Sequence, residues 1–405
     1  MPATDTSSSF TTYGTRPNRL SFTSPESNFE SLKQEFRNRY LVYRDFPNLN
    51  LYLLKYNRKE PLDLNDPDTI RCRGLVFDRN THEIVGTCPE KSTPLGSIAV
   101  HRDNLEYEEF YDGTNVNVFF AGDNWHISTR SSIGAGISFN TEKTFREMFF
   151  EACGFELDKL DKSIMYSFVL LHTDNRIVCP VTRNQVILVE ARTRVEGDQI
   201  ANLSVVEVRK HLIENYGFTE ETLQIPKTYT FDNLESAKTH VKSLGIESQG
   251  LMLKLLSSNI RGKIRGDTYC HARLIKGNSS SLFERYLHVR KNRQIKIYLR
   301  YFPEANEQFR EFNRRINNLV NELHFSYIQC FIRKELEHRD AKYVFRPMLY
   351  ALHKYHLSER AIITREEVYI YFCELPVEKQ IFVFENLDKV FIQPEVIDLT
   401  PAVTV

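Results

Sequence analysis

Short apolar runs, broken every few residues by Asp, Asn, Gly or Pro, fill the first two thirds of this chain and constrain its fold more than any other feature. The runs at 51–54, 74–77, 116–120, 164–171, 186–189 and 251–256 are short and carry turn residues at their ends, so they read as strands. Segments 141–153, 204–217 and 233–244 carry helical patterns between them, which predicts an α+β domain with a mostly antiparallel sheet. Phe29, Leu32, Phe36, Tyr40 and Tyr43 share one helical face, predicting a helix over 29–43. The first 27 residues hold twelve Ser or Thr and three Pro with little periodicity. That is the composition of a disordered tail, so order is expected to begin near Phe29.

After Lys276 the period changes. Over 304–323, Phe309, Phe312, Ile316, Leu319 and Leu323 line one helical face with charges opposite, and Pro303 suits a helix start. Similar patterns at 326–338, 345–357 and 365–387 predict an all-helical carboxy-terminal domain. The expected organisation is a tail (1–28), an α+β domain (29–279), a helical domain (280–390) and a loose end (391–405).

With 41% hydrophobic and 26% charged residues over 405 positions, the chain has ordinary globular usage and exceeds the size of one core. Its seven cysteines are odd in number, scattered and without a Cys-x-x-Cys pair. This argues against a disulfide framework or zinc ribbon and for a reducing compartment. No run approaches 18 apolar residues, and the amino terminus lacks the basic-then-apolar pattern of a signal peptide. No membrane partner is expected, and the expected location is intracellular, in cytoplasm, nucleus or a virion.

One run carries chemistry. Glu106-Tyr107-Glu108-Glu109-Phe110-Tyr111-Asp112-Gly113-Thr114-Asn115 holds a Lys-x-Asp-Gly frame with Phe110 in the place of the lysine. Upstream lies Arg71-Cys72-Arg73-Gly74-Leu75-Val76-Phe77-Asp78. Downstream come Ser128-Thr129-Arg130-Ser131-Ser132-Ile133-Gly134, then Ser167-Phe168-Val169-Leu170-Leu171-His172-Thr173-Asp174-Asn175-Arg176-Ile177-Val178, then Gln249-Gly250-Leu251-Met252-Leu253-Lys254. In order and spacing these five segments resemble the phage-type RNA ligase 1 family of covalent nucleotidyltransferases, including its relatives in large DNA viruses. The resemblance covers about residues 45–280. It implies a mostly antiparallel, ligase-like nucleotidyltransferase domain followed by a helical domain.

In that family the lysine amine attacks the α-phosphate of a nucleotide and holds it as a phosphoramidate. A phenyl ring offers no lone pair. Three further positions depart from the pattern: Val169 replaces a glutamate that contacts the nucleotide or its metal, Gln249 replaces the glutamate of a metal-holding Glu-Gly pair, and Leu274-Ile275-Lys276 keeps one lysine of a Lys-x-Lys pair. Glu247 shares a strand face with Gln249 and would need a bulge to take over. Asp112, Gly113, Arg130, Lys254 and Lys276 remain as residues of the ancestral pocket, with Gly113 kept for backbone geometry. Phe110, Val169, Gln249 and Leu274 read as a set lost together, because removing one member of a buried charge cluster leaves the others uncompensated. No catalytic residue, metal ligand or cofactor is therefore expected; ATP and Mg²⁺ enter only if another lysine, Lys91 or Lys254, has become the nucleophile.

Charge is the second functional signal. Between Lys254 and Arg300 there are twelve Lys or Arg against Asp267 and Glu284, in a chain of zero net charge. Arg261, Lys263, Arg265, Arg273, Arg290, Lys291 and Arg293 are the nucleic-acid-binding candidates, with Tyr269, His271, Tyr286, Tyr298 and Tyr301 interleaved for stacking. The duller readings are a solvated basic face and core tyrosines. His101, His126 and His172 have no metal-ligand spacing and read as packed or surface residues. Three function classes stay open: a catalytically inactive ligase-like protein kept for nucleic-acid binding or regulation, a structural or virion protein with a filled pocket and protein partners, and an active nucleotidyltransferase with a displaced lysine.

Overall fold

The computed structural model describes residues 10–57, 59–60, 66–95, 105–138, 141–255, 257 and 260–389. The expected end segment 391–405 and His101 lie outside these residues. The chain divides into two compact units, Met1–Leu274 and Ile275–Val405.

The first unit contains strands β1 (Thr12–Pro17), β2 (Leu41–Phe46), β3 (Leu51–Tyr56), β4 (Arg73–Asp78), β5 (Ile84–Gly86), β6 (Leu105–Glu109) and β7 (Thr114–Ala121). It continues with β8 (Asn124–Ser128), β9 (Ile164–Leu171), β10 (Gln185–Val195), β11 (Gln199–Leu203), β12 (Thr228–Tyr229), β13 (Gly250–Leu255) and β14 (Ile260–Arg265). They form one six-stranded sheet in the order β1-β11-β10-β9-β7-β8 and two four-stranded sheets, β12-β6-β13-β14 and β2-β3-β4-β5. Every described strand pair is antiparallel, which makes the unit α+β with mostly antiparallel sheet.

Alternation along the strands assigns the cores. Val118, Tyr166 and Phe168 pack on one face of the six-stranded sheet beneath helices α3 (Phe145–Cys153) and α4 (Val205–Tyr216), after α1 (Phe29–Asn38) and α2 (Pro67–Arg71) in the chain. Their sequence neighbours Phe119 and Met165 point the other way and join the core under α1 and β2–β5. The third sheet is covered by α5 (Leu234–Lys242), with Ala237 and Val241 on Tyr107, Leu251, Leu253 and Ile264. Helix starts follow local capping chemistry: Thr144 and Glu147 form a reciprocal box at α3, and Ser204 caps α4.

Three expectations are corrected. Order begins well before Phe29: Thr12–Pro17 pairs with β11, Arg19 pairs with Glu83 at 2.7 Å, and Leu20 is buried. Composition is blind to hydrogen bonds made with a strand nearly two hundred residues away. The helix expected over 29–43 stops at Asn38, because Tyr40 takes φ +53° and Leu41–Phe46 pairs with β3 instead. The run 365–387 is two helices, broken where Pro376 follows Leu375.

α6 (Asp267–Lys276) leads toward the second unit, which is helical: α7 (Leu282–Lys291), α8 (Ile295–Tyr301), α9 (Asn306–Tyr327), α10 (Arg346–Glu359), α11 (Arg365–Glu374) and α12 (Val377–Asn386). α9 runs into a π-type turn at Ile328–Arg333, where a longer helix over 326–338 was expected. The rings of Tyr286 and Tyr298 each lie 4.9 Å from Phe309 at its centre. No helix among the described residues is long and apolar enough to cross a membrane.

Gly250, at the start of β13, sits at φ +130° with an added Cβ only 2.1 Å from the Ile264 carbonyl oxygen. Gly250→Ala is expected to cost about 2–5 kcal/mol from backbone strain and overpacking together, read as a lowered urea midpoint at unchanged slope.

Candidate functional site

β6, β13 and β14 lie side by side, and their register builds the site. Glu108 pairs with Met252 and Met252 with Lys263; Glu106 pairs with Lys254 and Lys254 with Arg261. Residues directly opposite share a face, so one face of this sheet carries Glu108, Lys254, Arg261, Lys263 and Arg265 in rows. Phe110 continues past β6, its N–H donating to the Gly250 carbonyl at 3.0 Å. This face and residues of the six-stranded sheet enclose a cavity of about 540 Å³. All five motif segments contribute to its wall, through Arg73, Phe110, Arg130, Val169 and Met252 among others.

Most of its charges are already committed. Lys254 pairs with Glu108 at 2.7 Å, both nearly buried, and also donates to the Val189 carbonyl at 2.6 Å. Its amine is thus held by both sheets. Arg261 pairs with Glu190 at 3.1 Å, beside an Arg192–Glu190 pair. Arg73 donates to the Pro89 and Glu90 carbonyls at 3.0 and 2.8 Å. Of the other carboxylates on the wall, Glu109 accepts from the Tyr111 hydroxyl at 3.0 Å and Glu90 faces Arg16 at 3.7 Å. Lys263, Arg265 and Arg273 also face this space. Burial, then the charges of Arg265, Arg73, Arg261 and Arg273, pulls the Lys263 amine down to about 8.

Phe110 is half-buried, lines the cavity rather than plugging it, and has the Arg265 guanidinium 5.6 Å from its ring centre. A filled pocket is therefore not what the chain forms. Val169 lies on the sheet face opposite to Phe168 and Leu170, toward the cavity. Gln249 is buried and lines a smaller cavity of about 150 Å³ that shares Phe110 and Tyr111 with the large one. Turned so that its nitrogen donates to the Tyr111 carbonyl at 3.1 Å, its amide oxygen accepts from the Arg265 Nε at 3.0 Å. Glu247 also lines the smaller cavity, with its carboxylate beside Gly245.

Asp112 is a buried anchor. Its carboxylate accepts from the Val178 and Cys179 N–H groups at 2.7 and 3.1 Å and from the Tyr269 hydroxyl at 2.7 Å. The distinctive segment 174–178 is thereby drawn to the start of β7, where Asn175 donates to the Thr114 hydroxyl at 2.9 Å. Gly113 has an ordinary φ; what excludes a side chain there is the Leu170 carbonyl oxygen, 2.3 Å from an added Cβ. Gly74 lets the Arg130 backbone approach to 2.7 Å of the same hypothetical atom.

Leu274 is corrected as a site residue: it sits on α6, is 74% exposed and does not line the cavity, while Lys276 belongs to the second unit. Residues two apart share a face on a strand but not on a helix. On β14, Lys263 and Arg265 flank Ile264, which is buried in the opposite core, so the strand presents a pair of cations to the cavity. Strand alternation between Gly250 and Arg265 was the signal that could have found it.

The basic run divides as well. Arg290 donates to Cys373 Sγ at 2.7 Å and lies 4.9 Å from the Tyr369 ring centre, while Lys291 reaches the Glu374 and Leu375 carbonyls at 3.4 and 3.3 Å. Both are committed within the helical unit, and Arg293 is exposed beside them at φ +57°. Tyr269, Tyr286 and Tyr298 are buried and offer no stacking platform. Of the alternative nucleophiles, Lys254 is tied and Lys91 is not part of the wall. His126 bonds the Ala121 carbonyl at 3.0 Å. His172 is buried against Glu151 at 3.0 Å near Asp174, where Lys143 bridges the two carboxylates at 2.8 and 3.1 Å.

A divalent metal of the kind the family resemblance implies does not fit this wall. Mg²⁺ wants oxygen ligands with one or two carboxylates. Val169 and Gln249 provide none, Glu108 is held by Lys254, Glu109 accepts from Tyr111, and Glu90, with one oxygen lacking a hydrogen-bond partner, has the Arg16 guanidinium 3.7 Å away.

No family model matches the chain. It is 23% identical over 294 residues to an immediate-early protein ICP-46 homolog of Invertebrate iridescent virus 6, covering 67% of this chain and 63% of that protein. It is 22% identical over 252 residues to a candidate bifunctional polynucleotide kinase/RNA ligase of Autographa californica nuclear polyhedrosis virus, covering 56% of this chain and 34% of that protein. The matches thus span less than two thirds of either relative. An archaeal ATP-dependent RNA ligase of known structure is 18% identical with a TM-score of 0.42, over 71% of this chain and 74% of that one. The chain is thus similar in sequence to these viral proteins, and the five motif segments that carry its resemblance to RNA ligases converge on one cavity.

Proposed function

We propose that the cavity binds the phosphates of a nucleotide or of an RNA end, and that the protein holds this group without forming a covalent bond to it. The observation that carries the reading is the set Lys263, Arg265 and Arg273 facing an open space of about 540 Å³ with Phe110 at the position of the nucleophile. That volume is in the range of nucleotide-sized sites. With its carboxylates engaged, the wall keeps an excess of positive charge that an anionic ligand answers. The RNA-ligase name of one viral relative supports RNA as the nucleic acid. A structural or virion role rests on a filled pocket, and the open cavity favours ligand binding over it.

A second reading has one observation in its favour. Lys263 is a cavity amine pulled down to about 8, so a useful fraction is uncharged near neutrality and could act as a displaced nucleophile. It replaces Lys91 and Lys254 as the residue to test.

Incubation with α-labelled ATP or GTP and Mg²⁺ or Mn²⁺ is expected to leave no acid-labile, base-stable label on the protein. Phe110→Lys is expected not to create one, because the new ammonium enters beside Arg265 and the carboxylates the resemblance calls for at 169 and 249 are absent. A label on the native protein that disappears in Lys263→Met would establish the second reading.

Affinity should also depend on pH. The ligand favours the charged Lys263, whose folded pKa of about 8 lies below its ordinary value of 10.5. Binding is then strongest below about pH 8 and weakens above it, by at most about tenfold per pH unit for one linked proton. Lys263→Met should bind more weakly at pH 7 and lose that slope; a native profile flat from pH 7 to 9 would count against Lys263 as a contact.

A further inference from the structure

We infer that this cavity takes its phosphates without a divalent cation, the protein's own guanidinium and ammonium groups standing where a metal's charge would be needed. The inference rests on the reading that the cavity binds phosphate, and adds how the charge is met.

Glu108 is held by Lys254 at 2.7 Å, Glu109 accepts from the Tyr111 hydroxyl at 3.0 Å, and Glu90, one oxygen of which has no hydrogen-bond partner, lies 3.7 Å from the Arg16 guanidinium, so a cation entering the wall would share each carboxylate with a cation or hydroxyl already beside it. Where the resemblance calls for a metal-holding glutamate, Gln249 has an amide oxygen that accepts from Arg265 Nε at 3.0 Å. That lone pair is answered by a fixed positive charge. A dication brought there meets Arg265 at close range, with Lys263 and Arg273 on the same wall. Like charges in a partly desolvated space repel strongly.

The same groups suit a phosphate. Arg265 is fixed on two sides, by the Gln249 amide and by the Phe110 ring 5.6 Å away, which preorganises its fork for phosphate oxygens. Burial first, and then the neighbouring guanidinium charges, hold the Lys263 amine below its usual range, so its charged form lacks an anion beside it. An incoming phosphate relieves this; Mg²⁺ bound to the same phosphate would restore the repulsion and lower the ligand's own charge. The losses at Val169 and Gln249 and the gain of Arg265 against Gln249 are thus one change: from metal-assisted to metal-free phosphate recognition.

The test is isothermal titration of the full chain with α,β-methylene-ATP, and separately with a 5′-phosphorylated RNA oligonucleotide, each in EDTA and in millimolar Mg²⁺. The expected result is binding in EDTA that Mg²⁺ leaves unchanged or weakens. Arg265→Gln and Lys263→Met should each weaken the EDTA binding by about tenfold, the scale of one lost charged contact, with unchanged circular dichroism. Binding seen only with Mg²⁺, or tightened by it, would overturn the inference and leave the phosphate-binding reading standing. Binding of neither probe in either buffer would overturn both. If one probe alone binds, its response to Mg²⁺ decides the inference and its identity names the source of the phosphate.

Discussion

The Lys254 ammonium, clamped between the Glu108 carboxylate and the Val189 carbonyl, is the contact on which the site depends. One partner belongs to the β6–β13–β14 sheet and the other to the six-stranded sheet, so this charge, beside the Arg261–Glu190 pair, joins the two walls of the cavity. A buried ammonium needs such partners, because stripping its water without replacement is far more costly than the pair gains. The geometry that holds the walls together also removes Lys254 from chemistry. A side chain that serves as a tie cannot also swing to a phosphate.

Around that tie most of the remaining polar groups are paired, with Arg73 Nε and Glu90 Oε1 buried without a hydrogen-bond partner. Asp112 takes two backbone N–H groups and the Tyr269 hydroxyl; Glu190 takes Arg261 and Arg192; Gln249 takes Arg265. Phe110, Val169 and Gln249 are therefore best understood together. Restoring a single charged group at one of these positions would leave it without its former partners. Leu274, exposed on α6, has no part in that set. Cations on β14 face the opening while the carboxylates of the wall are turned to partners, which gives the cavity its sign.

Much of the fold was legible before any coordinates. The runs at 164–171 and 251–256 became β9 and β13 because alternating or continuous apolar residues between turn residues have few other uses, and α3, α4 and α5 begin close to their capping residues. The motif order from Arg71 to Lys254 likewise located the residues that line one cavity. What misled was local pattern read without partners. Phe29 to Tyr43 has helical spacing throughout, yet Leu41–Phe46 gains a full ladder of hydrogen bonds with β3. The Ser- and Thr-rich start resembles a tail, yet it meets an unpaired edge at β11.

By itself the sequence determined what is encoded in neighbouring residues: the two-part organisation, the strand and helix periods, and the absence of an amine at position 110. Only the tertiary structure decided which charges meet. Glu108 with Lys254, Arg261 with Glu190 and Asp112 with Tyr269 are separated by 71 to 157 positions, and their pairing follows from sheet register and helix placement. It also decided that Lys263 and Arg265, rather than Leu274, face the cavity, because side chains two apart share a face on a strand and diverge on a helix.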